Sequence, residues 1–314
     1  MTKLSDIYPT EKIVLREVGL RDGLQLVKSF PSTRAKQEWI RRENAAGVRH
    51  FEVGSFLPAA RMPQFADVRE IIETVEALPD AFSMALAMNE RGAADALATS
   101  VDEIVCVISA TEEHSQTNAR RSRMEAVGLV RKVAEMREAS ERRPLINAGI
   151  AMAFGCSIAG AVDSGEVIAL VEQCIEAGAD IVGVADTVGF AGPRQVGELA
   201  EAMTRLCDGR PYIVHLHDTR GMGIANASAA LDAGARVLDG SLGGLGGCPF
   251  APGATGNVVM EDLVYLCETK GFRTGIDLDA LTAVRDIPRA EMPEEQLFGA
   301  VARAGPPRTL EWRA

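Results

Sequence analysis

The stretch LINAGIAMAFGCSIAGAVDSGEVIALVEQCIEAGADIVGV, residues 145–184, decides the fold. It opens on a short apolar run at 145–151, continues after a loop as a charge-decorated helical segment at 164–177, and begins a second short apolar run at 180–184. The helical segment closes on Ala177-Gly178, where glycine can take the left-handed conformation that stops a helix. Strand, helix, strand is the βα repeat. Working outward, the same grammar recurs along almost the whole chain. Strands are expected at 13–18, 50–53, 83–87, 103–108, 145–151, 180–184, 212–217 and 237–241, and helices at 32–46, 66–77, 121–141, 164–177, 193–207 and 222–233. Ala46-Gly47 and Ala233-Gly234 repeat the stop signal, and Met124, Val127, Val130, Val133 and Met136 carry helical spacing on a segment whose charges face water. Eight βα units predict an α/β fold, a (β/α)8 TIM barrel over residues 1–275, with a short C-terminal helical extension and tail at 276–314 packed on it.

The bulk composition narrows the function classes. A formal net charge of −11 over 314 residues repels polyanions, so neither nucleic acid nor an acidic membrane surface is an expected partner. No apolar run reaches the roughly 18 residues a membrane span needs, and residues 1–12 carry charge in place of an apolar leader core, so the expected location is the cytoplasm. Six cysteines, at 106, 156, 174, 207, 248 and 267, show no paired spacing and predict no disulfides.

In a barrel of this kind the chemistry sits where the βα loops converge, at the C-terminal ends of the strands. The first strand ends in Glu17-Val18-Gly19-Leu20-Arg21-Asp22-Gly23-Leu24-Gln25, which sets a guanidinium, a carboxylate and an amide at that rim; an ordinary polar loop is the plain alternative. The seventh ends in His215-Leu216-His217-Asp218. Residues two apart on a strand face the same side, so both imidazoles can reach one cation from the lumenal wall. These are two of only four histidines, and the other two, His50 and His114, read as structural or peripheral. After the eighth strand, residues 243–257 form a long glycine-rich loop that reads as a lid and carries Cys248, which is either an acid–base group or a bystander thiol.

Taken together, Glu17-Val18-Gly19-x-Arg21-Asp22-Gly23-Leu24-Gln25, Phe51-Glu52-Val53-Gly54-Ser55-Phe56, Pro63-Gln64-x-Ala66-Asp67, Asp186-Thr187-Val188-Gly189, His215-x-His217-Asp218-Thr219 and Gly244-Leu245-Gly246-Gly247-Cys248-Pro249-Phe250-Ala251 resemble the 3-hydroxy-3-methylglutaryl-CoA lyase family, in unbroken order from about residue 13 to residue 277. The resemblance implies a divalent cation, Mg or Mn, held by Asp22, His215, His217 and Asn257, a hard-to-borderline donor set with positions open for substrate oxygens. It implies a catalytic set of Arg21, Asp22, His215 and Cys248: Arg21 stabilises an enolate oxygen, Cys248 donates a proton, and the base is a histidine ligand, Asp22 or water. Gln25, Glu52 and Asp186 are the expected substrate-binding or supporting residues. The expected partner is an acyl-CoA, with Arg120, Arg121, Arg123, Lys28 and Arg61 as candidates for its phosphates, and the expected assembly is a homo-oligomer, dimer or tetramer.

The chain departs from the family pattern where the acyl group would lie. Leu20 replaces proline, Leu26-Val27 replace Asn-Glu, Leu57-Pro58-Ala59-Ala60-Arg61 replaces a Ser-Pro-Lys segment, Gly155-Cys156-Ser157-Ile158 lacks a Cys-Pro-Tyr run, and Ala185 replaces glycine. The expected reaction is therefore cleavage of a branched 3-hydroxyacyl-CoA, 3-hydroxy-3-methylglutaryl-CoA first and citramalyl-CoA as the alternative. An acetyl-CoA-dependent condensing synthase and a non-enzymatic binding protein are the rival classes.

Overall fold

The computed structural model describes residues 4–246 and 256–307. Eight strands, β1 (Val14–Glu17), β2 (His50–Ser55), β3 (Phe82–Leu86), β4 (Glu103–Ser109), β5 (Leu145–Ala151), β6 (Ile181–Asp186), β7 (Ile213–Leu216) and β8 (Val237–Gly240), pair in sequence order, and β8 pairs parallel with β1 to close the barrel. Parallel neighbours need a crossover of a dozen residues or more, and the chain supplies a helix for it at nearly every step. These are α2 (Thr33–Ala45), α3 (Val68–Glu76), α4 (Glu90–Leu97), α5 (Glu112–Ala119) and α6 (Arg123–Glu138), α7 (Ser164–Glu176), α8 (Pro193–Cys207), α9 (Gly223–Asp232) and α10 (Met260–Thr269), preceded by a single turn, α1 (Leu4–Ile7).

All eight expected strands form, with β5 and α8 on their expected residues. The short helices α1, α4 and α5, and α10 after the eighth strand, lie outside the helical segments expected from the sequence. α5 buries only His114 and Ser115 and so shows no apolar period; its start is set by Thr111, whose hydroxyl accepts the His114 amide. α1 brings Ile7 and Tyr8 into a cluster with Val14, Leu145, Ile181, Ile213 and Val237, the first inward-facing residues of five strands, and so plugs the N-terminal end of the barrel. The main core lies outside the strands, where side chains such as Trp39, Ile40, Phe51, Ile71 and Ile72 are fully buried between sheet and helices.

Three further helices, α11 (Leu278–Ala283), α12 (Asp286–Glu291) and α13 (Ala300–Ala304), follow the last barrel helix. They are tied to α2 through Asp277 N–H to Ala46 O at 2.7 Å and an Arg42–Asp286 ion pair at 2.8 Å. Arg285 bridges Glu261 and the Phe298 carbonyl, and the Phe298 amide donates to Gly243 O, so this extension buttresses the turn after β8 from behind.

Candidate metal centre and active site

The rim of β1 is shaped by a π-helical turn, Gly19–Gly23, in which Val18 O accepts from the amides of Arg21, Asp22 and Gly23. Such a widened turn aims consecutive side chains inward and is frequent at functional sites. A Cβ on Gly19 would lie 2.5 Å from Glu17 Oε1, the oxygen that accepts the Gly19 and Leu242 amides, so a side chain there would displace that carboxylate. Arg21 and Asp22 therefore project over the mouth. Arg21 donates to Asp22 Oδ1 at 2.7 Å and Gln25 Oε1 at 3.1 Å, and forms an ion pair with Glu52 Oε1 at 2.8 Å. Burial opposes its charge, but Glu52 and Asp22 outweigh it and hold the guanidinium firmly protonated. Asp22 is likewise kept ionised against burial by Arg21, His217 and His215, well below the usual carboxylate range.

At the end of β7, His215 on the strand and His217 just after it both line the cavity, with their two Nε2 atoms 3.1 Å apart. His217 Nε2 lies 3.5 Å from Asp22 Oδ2, and ligand atoms of Asp22, His215 and His217 all fall within 4.8 Å of one another. Asn257 joins them through an antiparallel bridge to His217 and a 2.8 Å bond from its amide nitrogen to Asp22 Oδ2, while its Oδ1 is buried without a hydrogen-bond partner. A carboxylate and two imidazoles converging beside an unsatisfied amide oxygen form a donor set suited to a hard or borderline divalent ion. The residues fit a cation.

Beneath this cluster runs a polar network that sequence reading missed. His215 Nδ1 donates to Asp239 Oδ2 at 2.9 Å, which leaves Nε2 as the lone-pair atom facing His217 and Asp22. Asp239 also accepts from Arg16 Nε at 2.7 Å; Arg16 continues to Glu103 at 3.1 Å, and Glu103 accepts from Tyr8 and Asn147. Burial alone would raise the Asp239 carboxyl, but Arg16 and His215 hold it below its ordinary value. A signal was present: Arg16, Glu103 and Asp239 interrupt otherwise apolar strands, and a charged residue within a barrel strand requires a polar partner inside.

The cavity at this mouth measures about 390 Å³ and is lined by Arg21, Asp22, Gln25, Glu52, His215 and His217, among others. Burial raises the Glu52 carboxyl, an effect Arg21 tempers. Asp186, at the end of β6 beside the histidine strand, accepts the Phe190 and Ala191 amides at 2.8 and 3.1 Å and orders the loop after β6, while its neighbours Ala185 and Thr187 line the cavity. His114, read as structural or peripheral, lines the cavity and pairs with Ser109 at 2.8 Å; His50 is structural, bonded to Ile7 O at 2.7 Å. Of the basic candidates, Arg61 and Arg121 reach the cavity, whereas Arg123 pairs with Glu166 on the surface. Cys248 lies outside the described residues.

Residues 12–287 match the model of the HMGL-like family. The chain belongs to the HMGL-like family. It is 34% identical over 274 residues to the hydroxymethylglutaryl-CoA lyase YngG of Bacillus subtilis, covering 87% of this chain and 91% of that protein. It is 36% identical over 308 residues to the (R)-citramalyl-CoA lyase of Chloroflexus aurantiacus, covering 94% and 96%. The structure of an HMG-CoA lyase from Acinetobacter baumannii, in complex with coenzyme A and 3-methylmalate, superposes with a TM-score of 0.87 at 34% identity over 99% of each chain. As an HMGL-like protein this chain is a lyase on a TIM barrel, and the family's metal dependence agrees with the Asp22/His215/His217 cluster. Among the described residues, no helix is long and apolar enough to cross a membrane.

Proposed function

We propose that the chain cleaves the C2–C3 bond of a branched 3-hydroxyacyl-CoA, with 3-hydroxy-3-methylglutaryl-CoA yielding acetyl-CoA and acetoacetate. The observation that carries this reading is the convergence of Asp22, His215 and His217 within 4.8 Å at the floor of a cavity whose rim carries Arg21. Asp22, His215, His217 and Asn257 would hold a divalent ion, Mg or Mn, which when bound supplies Lewis acidity toward the substrate's oxygens.

The tertiary hydroxyl loses its proton to a base, for which Asp22 and His215 are the candidates at hand. The C2–C3 pair then passes to the thioester, and the negative charge develops on the enolate oxygen. Arg21 is fixed by Asp22, Gln25 and Glu52, so it can meet that charge without reorganising. Protonation of the enolate carbon by Cys248 releases acetyl-CoA. Gln25 and Glu52 position Arg21 and the acyl group, Asp186 orders the neighbouring loop, and Arg61 and Arg121 offer charge to the CoA phosphates.

Buried thiols at Cys106, Cys156, Cys174, Cys207 and Cys267, all unpaired with one another, support a reducing cytoplasmic setting. A homo-oligomer, dimer or tetramer, completes the reading, and light scattering reads it directly. Citramalyl-CoA is the second substrate candidate, favoured by the 36% identity to the Chloroflexus lyase.

The test is a cleavage assay with Mg or Mn over a panel of 3-hydroxyacyl-CoAs, products identified by mass. Metal-dependent release of acetyl-CoA is expected. If acetyl-CoA and a 2-oxo acid condense while no hydroxyacyl-CoA is cleaved, the chain is a synthase and the lyase reading fails.

A further inference from the structure

Four neighbouring strands each leave one lumenal residue partly accessible inside an otherwise sealed barrel: Val107, Gly149, Ala185 and His215. Val107 is in register with Gly149 and Gly149 with Gly183, while Ala185, in register with His215, stands two residues further along β6. Two glycines stand side by side there, and their surroundings differ. A Cβ on Gly183 would meet Ile213 Cβ at 3.1 Å, so the space left by Gly183 is already taken. A Cβ on Gly149 would meet nothing within 4 Å. Glycine weakens a strand interior and packs nothing, so one placed mid-strand over empty space marks a site where something approaches.

The space over Gly149 belongs to the main cavity, whose lining there includes Leu86, Met88, Val105, Val107 and Ala151, with Asn147 two residues below on the same strand. Arg16, the lumenal guanidinium of the layer below, is already paired with Asp239 and Glu103, and Arg121, which also lines the cavity, donates to Met88 O at 2.7 Å. Gly149 stands two strands from His215, about 10 Å at the usual spacing. A methyl on the reacting carbon cannot span that gap.

We propose that Gly149 determines substrate choice: the recess it leaves takes an apolar alkyl or aryl branch, longer than methyl, on carbon 3 of the hydroxyacyl-CoA. This rests on the lyase reading and refines its substrate: 3-hydroxy-3-methylglutaryl-CoA is then cleaved less efficiently than a substrate with a longer apolar branch. Valine at position 149 suits the extended backbone and would fill the recess from its wall.

The test is kcat/KM, with Mn, for three 3-hydroxyglutaryl-CoA substrates branched at carbon 3 with methyl, butyl or phenyl, using wild type, Gly149→Val and Gly149→Ala. Wild type should favour the butyl or phenyl substrate over the methyl one by about tenfold or more, the discrimination an apolar pocket gives. Gly149→Val should reverse that ratio, with Gly149→Ala shifting it in the same direction; Mn binding and melting temperature are recorded to identify a misfolded variant. If neither variant folds, the wild-type ratio decides alone. The inference is overturned if wild type prefers methyl, or if both variants lower all three substrates by one factor. Failure of wild type to cleave any of the three overturns it as well; cleavage of an unbranched or citramalyl substrate in that case leaves the lyase reading standing.

Discussion

Asp239→Asn strikes the network beneath the proposed cation site at its centre. The Asp239 carboxylate accepts from Arg16 at 2.7 and 3.3 Å and from His215 Nδ1 at 2.9 Å, and it is only 5% exposed. Asparagine keeps one acceptor oxygen and turns the other into a donor, so either Arg16 or His215 then faces an N–H with its own N–H. Arg16 retains Glu103, and the loss therefore falls on the imidazole, which can turn or move its proton to Nε2. Nε2 is the atom aimed at His217 and Asp22, and a proton there removes a cation ligand. Loss of such a supporting partner costs roughly 10–100-fold in metal affinity, about 1.4–2.7 kcal/mol. Breaking a buried charge pair adds a stability loss of roughly 3–5 kcal/mol. Calorimetric titration with Mn, run beside a thermal melt, separates the two effects. A variant that melts lower but binds Mn with wild-type affinity would refute the claim that Asp239 sets the proton position of His215.

Three further outcomes are expected. Gly246 has φ +128° and a Cβ there would lie 2.5 Å from Asn257 Nδ2, so Gly246→Ala should displace that amide and weaken Mn binding about tenfold or more by titration. Cys248→Ser should lower kcat about 100-fold or more while Mn affinity stays within twofold, measured by steady-state kinetics and titration. The buried Glu17 and Glu43 carboxyls behind β1 are both raised, first by burial, Glu17 to about 8. The folded state then holds protons that the unfolded chain releases above a pKa of about 4.5, so stability present at low pH is lost as pH rises from about 4.5 toward 8. Denaturant unfolding across that range should show the decline, on the order of a few kcal/mol, and Glu43→Gln should flatten it.

The barrel was legible because its strands are short, β-branched and punctuated by Ala-Gly stops, signals that survive without tertiary knowledge. His215 and His217 were legible through their strand spacing, and Arg21 and Asp22 through their place at the end of an apolar run. Asn257 was not, because an amide after a glycine-rich loop has no periodicity; only the resemblance selected it, and the backbone bridge to His217 supplies the physical reason. Asp239, Arg16 and Glu103 escaped because a single charged residue in a strand reveals its meaning only once the neighbouring strands are in register. Gly149 is the extreme case: the sequence shows a glycine, and whether the missing side chain is compensated by a neighbour depends entirely on what stands opposite. The carboxylate of Asp186, expected to bind substrate or support the site, holds two loop amides, a partnership that strand position alone does not reveal.

The most direct measurement is Mn titration of the purified chain beside His217→Ala and Asp22→Asn, with acetyl-CoA release from the best panel substrate followed in the same samples. One ion per wild-type chain, weakened at least tenfold in both variants with cleavage lost in parallel, is the predicted result. Wild-type cleavage that persists in both variants, or in the presence of excess chelator, would contradict a lyase built on this metal centre.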